Sequence, residues 1–152
     1  MVGRQQTDET TVNRGVTLRS NAVVINGEPT WLISGSVHYF RIPRDNWRSC
    51  LQLCVDGGLN CIDTYVAWNI HESVEGVYDF EGERDLEHFI QIAHELGLHV
   101  IVRVGPFICA EHRLGGYPTW LMQKKGLVLR EPTPEHNSYV KRWFDILLPK
   151  IV

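Results

Sequence analysis

With 152 residues, 43% hydrophobic and 22% charged, the chain has the composition of an ordinary globular domain large enough to bury a core. Its net charge of -3 gives no electrostatic case for nucleic acid or an anionic membrane, and no apolar run reaches the ~20 residues of a membrane span. Residues 1–14 are polar, show no apolar stretch of the signal-peptide kind, and read as a lead-in to a domain over 15–152.

NAVVINGEPTWLI, from Asn21, has two apolar runs around Asn26-Gly27, a dipeptide that favours the tight turn of a hairpin. ISGSVHYFRIP then gives a short strand ending in His38, Tyr39, Phe40 and Arg41. After Pro43, Trp47, Leu51 and Cys54 recur at helical spacing, with Asp45 the expected N-cap and Gly57-Gly58 the stop. LNCIDTYVAWN is a second strand, and HESVEGVYDFEGER a turn-rich loop. An amphipathic helix follows, its apolar face drawn from Leu86, Phe89, Ile90, Ala93 and Leu96, and Gly97 ends it. LHVIVRVG is a third strand, nearly continuous in apolar residues. The last helix carries Tyr139, Trp143, Ile146 and Leu147 at helical spacing, with Thr133 as N-cap and Pro134 at the first helical position.

Strands alternating with helices predict a parallel sheet covered on both faces, either open and doubly wound or part of a (β/α)₈ barrel. The first β-α turn, HYFRIPRDNW, has no glycine and hence no dinucleotide fingerprint, which leaves the barrel. In a barrel, the loops after the strands carry function. Here those loops hold His38 to Arg41, then Tyr65, Trp68, Asn69, His71 and Glu72, then Cys109, Glu111 and His112. A closed barrel needs about 200 residues or more, so the chain is expected to be part of a longer one.

Asn69, Glu72 and Glu111 are the polar candidates, and Tyr65 and Trp68 could stack on the apolar face of a sugar ring. The alternative for both aromatics is a place in the core. For Glu72 it is a structural ion pair with Arg41 or Arg103, because a buried carboxylate needs a partner, and an inward Arg needs one too. Gly115-Gly116 suits positive φ or a close backbone approach. His38, His71 and His112 follow successive strands, which raises a metal-dependent hydrolase as an alternative. There is no H-x-H after the first strand and no H-E-x-x-H anywhere, so no metal site is expected. Cys50, Cys54, Cys61 and Cys109 lack C-x-x-C spacing and read as free thiols.

SGSVHYFRIPRDNW, DGGLNCIDTYVAWNIHE, GVYDFEGERDLEHFI and VRVGPFICAEHRLGGYPTWL together resemble the N-terminal part of glycoside hydrolase family 35, the β-galactosidases. The resemblance implies the first three β-α units of a (β/α)₈ TIM barrel and, in the full-length parent, retaining hydrolysis of terminal β-D-galactosyl residues without metal or organic cofactor. It places Tyr65, Cys109, Ala110 and Glu111 around the galactose ring; Asn69 joins them as a substrate-binding candidate on its residue type and position alone. The family loop commonly reads C-A-E-W, whereas this chain has His112 at the last position. Retaining hydrolysis needs two carboxyl groups about 5 Å apart. By resemblance both belong to segments downstream of Val152, so none is assigned here and the chain alone is expected to be inactive. A catalytically silent galactose-binding relative is the other reading. The resemblance points to lysosomal or extracellular work on a β-galactoside, with no nucleic-acid partner.

Overall fold

Asn26 and Gly27 both take positive φ, 52° and 89°, the geometry that lets two residues reverse a twisted hairpin. Ile25 and Glu28 pair across this turn as expected, joining β2 (Ala22–Ile25) to β3 (Glu28–Thr30), and β1 (Val16–Arg19) adds on the other side of β2. The computed structural model describes residues 15–19, 22–109 and 111–151, which fall into two compact units divided after Leu32. The antiparallel sheet β1-β2-β3 is the first unit.

In the second unit, β4 (Ser34–Ser36), β5 (Cys61–Tyr65) and β6 (His99–Arg103) form a parallel sheet in the order β4-β5-β6. Helix α1 (Trp47–Asp56) links β4 to β5, α3 (Leu86–Glu95) links β5 to β6, and α4 (Pro134–Leu147) follows β6. The α-helix α2 (Trp68–His71), a single turn directly after β5, was not foreseen. Among the described residues no helix is long and apolar enough to cross a membrane.

The caps show why the helices start where they do. The Asp85 side chain accepts from the His88 N–H at 3.0 Å, and Thr133 Oγ1 from the His136 N–H at 3.2 Å, each satisfying a free donor of the first turn. Asp45 is not the cap of α1. Residues Arg44–Asn46 wind into a 3₁₀ turn, and Asn46 stands at the N-cap without a side-chain bond. Gly58 and Gly97, both left-handed, end α1 and α3.

Successive strand side chains alternate between faces. Ile62, Val100 and Val102 join the helix residues Trp47, Leu51, Leu86, Phe89 and Ala93 in one core. Ser36, Asp63 and Ile101 align on the other face, and Tyr65 pairs with Arg103 there. A continuous apolar β6 predicts cover on both sides, yet Ile101 is 44% exposed. On the face opposite the helices Ser36, Ile101 and Arg103 are exposed, whereas Cys61 at the start of β5 is buried.

Candidate functional site

The C-terminal ends of the three parallel strands bring His38, Tyr65 and Arg103 together. Tyr65 and Arg103 are direct cross-strand partners. The Arg103 guanidinium lies 4.3 Å from the Tyr65 ring centroid and donates to the phenol oxygen at 2.5 Å. On the other side of Tyr65, the His38 ring stacks at 4.6 Å. The Tyr65 N–H points to His38 Nδ1 at 3.4 Å, so that nitrogen accepts and the proton sits on Nε2. Burial, reinforced by Arg41, lowers the His38 pKa. Tyr65 is half-buried, held between a cation and an imidazole with part of its surface open.

The loop after β6 supplies the third wall. Cys109 is half-buried at φ 123°, a left-handed value that costs energy for any residue with a Cβ. Glu111 is exposed and close enough to His38 to raise its pKa, against the larger effect of burial. Ala110 lies outside the described residues. The double glycine has the expected geometry. Gly115 and Gly116 are buried at φ 61° and 92°, a Cβ on Gly115 would run into the Phe107 ring, and one on Gly116 would sit 2.8 Å from Ile108 Cγ1.

Asn69 belongs to this loop's attachment. Its Nδ2 donates to the Arg113 carbonyl at 3.4 Å, and its Oδ1 faces His112 Nε2 at 2.9 Å. A carbonyl can only accept, which fixes the amide orientation and requires His112 to carry its proton on Nε2. The His112 ring also meets Phe40 edge-on at 5.5 Å, and burial, aided by Arg41, lowers its pKa.

Other candidates sit elsewhere. Glu72 is fully buried, but its partner is neither Arg41 nor Arg103. Arg142 of α4 donates to Oε1 at 2.6 Å, the Gly76 N–H to the same oxygen at 2.7 Å, and Trp68 Nε1 to Oε2 at 2.5 Å. Trp68 is itself 0% exposed and stacked on Trp143 at 5.7 Å, so it is core and presents no face to a ligand. Arg41 and Arg103 make no carboxylate ion pair among the described residues; Arg103 packs on Tyr65 instead. His71 is buried against Tyr39, 2.5 Å from Nε2, and the Asp79 carbonyl, 2.8 Å from Nδ1, and burial lowers its pKa to about 4. It is thus apart from His38 and His112, and no group of three metal-ligating side chains occurs among the described residues.

Sequence reasoning missed Arg142, which lies 70 positions from Glu72 with no spacing signal between them. It also missed the buried pair of Tyr117 and His136, 3.0 Å apart. The Thr133-Pro134 cap was legible, but not that it aims His136 inward.

The model of the glycosyl hydrolases family 35 matches residues 22–152. The chain belongs to glycosyl hydrolases family 35. Within that family it is 53% identical to a Bos taurus β-galactosidase over 133 residues, 88% of this chain and 20% of the relative. It is 48% identical to the Homo sapiens β-galactosidase over 126 residues, 83% of this chain and 19% of the relative. It is also 47% identical to the Homo sapiens β-galactosidase-1-like protein 2 over 122 residues, 80% and 19% of the two chains. The chain thus spans about a fifth of the length of the curated relatives it matches. Among solved structures it is similar to the exo-β-1,4-mannosidase Op5Man5 from Opitutaceae bacterium strain TAV5, with a TM-score of 0.63 at 15% identity, covering 97% of this chain and 25% of that one. At that identity the likeness bears on fold alone, and the fold is that of a TIM-barrel family.

Proposed function

We propose that this chain is the first three β-α units of a (β/α)₈ barrel whose whole protein hydrolyses terminal non-reducing β-D-galactosyl residues with retention of configuration. One observation carries the reading: three successive strand ends gather Tyr65, His38 and Arg103 at one edge, beside the Cys109–Glu111 loop.

In this reading Tyr65 offers a ring edge and a hydroxyl pre-oriented by Arg103. Glu111 offers a carboxylate that accepts from sugar hydroxyls. Cys109 forms the floor, Ala110 is assigned to the same pocket by resemblance alone, and Asn69 shapes the pocket through the loop it holds. None of these residues is a catalytic acid, base or nucleophile. Glu72 cannot pair with Glu111 across a sugar, since both its oxygens are engaged by buried donors. The two carboxylates, about 5 Å apart in a retaining enzyme, are assigned by resemblance to other segments of the whole protein, so the chain alone is read as inactive. The lysosome or the extracellular space is the proposed place of action.

The experiment is to express the full-length protein and follow a β-galactoside by proton NMR. Release of β-galactose before mutarotation is expected, unaffected by chelator. Release of the α-anomer refutes the retaining mechanism. Binding without release identifies a catalytically silent relative, and loss of turnover on chelation a metal-dependent hydrolase.

A further inference from the structure

The loop that carries Cys109 and Glu111 closes partly on itself. The Ile108 N–H donates to the Gly115 carbonyl at 2.7 Å, and the Gly115 N–H to the His112 carbonyl at 2.9 Å. Those bonds shape the loop but do not anchor it. Among the described residues, the hydrogen bonds that join residues 106–116 to another element are the two made by the Asn69 side chain, to His112 Nε2 and to the Arg113 carbonyl. Asn69 lies on α2, directly after the strand that ends in Tyr65. The His112 ring also rests on Phe40, two residues beyond His38. One side chain therefore ties the loop of the third strand to the ends of the first and second.

We propose that His112 is a positioning residue: by donating from Nε2 to Asn69 Oδ1 it holds Cys109 and Glu111 at the strand ends where His38 stacks on Tyr65, and so sets how tightly the site grips a galactoside. This rests on the galactoside reading above. The Glu111 carboxylate reaches its place only if the loop is fixed, and a loop held equally before and during reaction changes binding rather than the chemical step. The requirement is a hydrogen-bond donor at one point, and an aromatic ring alone does not meet it.

The test uses the full-length protein and a nitrophenyl β-D-galactoside. His112→Phe keeps a ring against Phe40 without the donor, and His112→Gln restores an N–H near the position of Nε2. The Phe variant is expected to raise KM about fivefold, the effect of one lost hydrogen bond, with kcat within about twofold. The Gln variant is expected to return KM to within about twofold of wild type. Hydrogen exchange at the Ile108 and Gly115 amides should quicken in the Phe variant and recover in the Gln variant. An unchanged KM in the Phe variant overturns the proposal, as does a Gln variant equally impaired. Should the Phe variant not fold, Asn69→Ser withdraws the acceptor from the other side, and an unchanged KM there has the same meaning. If the wild-type protein cleaves no β-galactoside, the functional reading falls, and the exchange measurement still decides whether His112 holds the loop.

Discussion

Removing the guanidinium of Arg142 is the sharpest perturbation of this fold. Glu72 is 0% exposed and holds three donors, of which Arg142 alone brings charge. In Arg142→Ala the buried carboxylate keeps an indole N–H and a peptide N–H but loses its only cation. Breaking a fully buried ion pair from one side costs about 3–5 kcal/mol. The Arg142 side chain is 38% exposed, so water partly replaces it, and the expected loss is about 2–3 kcal/mol. The guanidinium also lies 5.2 Å from the Trp120 ring and 5.5 Å from Tyr139, contacts that Arg142→Lys does not reproduce. Glu72→Gln is no remedy, because every partner is a donor and the new amide NH₂ must face one of them. The assay is urea unfolding followed by far-ultraviolet circular dichroism at pH 7. A loss below about 0.5 kcal/mol for Arg142→Ala would refute the argument, since that is the range of an exposed pair.

Burial lowers the His71 pKa from 6.5 to about 4, so between those values the unfolded chain takes up a proton that the folded chain refuses. Stability is then fully present above about pH 6.5 and falls towards pH 4 by on the order of 3 kcal/mol; His71→Gln should flatten the slope of urea midpoint against pH. Gly116→Ala places a Cβ 2.8 Å from Ile108 Cγ1 at a left-handed φ, and a loss of about 1–3 kcal/mol is expected in thermal melts; an unchanged Tm means that the loop relaxes freely. Tyr65→Phe deletes the hydroxyl that Arg103 donates to, and a fall of about tenfold in kcat/KM on β-galactosides is expected in steady-state kinetics. An equal fall on unrelated glycosides would deny Tyr65 a role in recognition.

The order of strands and helices was legible because it depends on local patterning. Asn26-Gly27, Gly97 and Thr133-Pro134 act through their own φ or their own first turn, and each does what its residue type demands. Asp45 failed at the same scale, because a 3₁₀ turn over Arg44–Asn46 moved the helix start past it. The site was legible in part. Tyr65 and the Cys109 loop stand at neighbouring strand ends as alternation of β and α requires. Trp68 and Glu72 follow the same strand and carry equally suggestive chemistry, yet α2 turns both into the core. Whether an aromatic residue after a strand faces a ligand or a helix depends on the next few φ/ψ angles and on the helix waiting beyond. Here that helix is α4, more than sixty positions later.

The pairing of Trp68 with Trp143 has an optical consequence. Their rings lie 5.7 Å apart and 8° from parallel, with Trp120 meeting Trp68 edge-on at 6.0 Å. Transition dipoles held so close couple, and the coupling depends on their separation and mutual angle. Near-ultraviolet dichroism of this chain is therefore a built-in protractor for the contact between α2 and α4. It reports the seating of the turn that carries Asn69 without any added label.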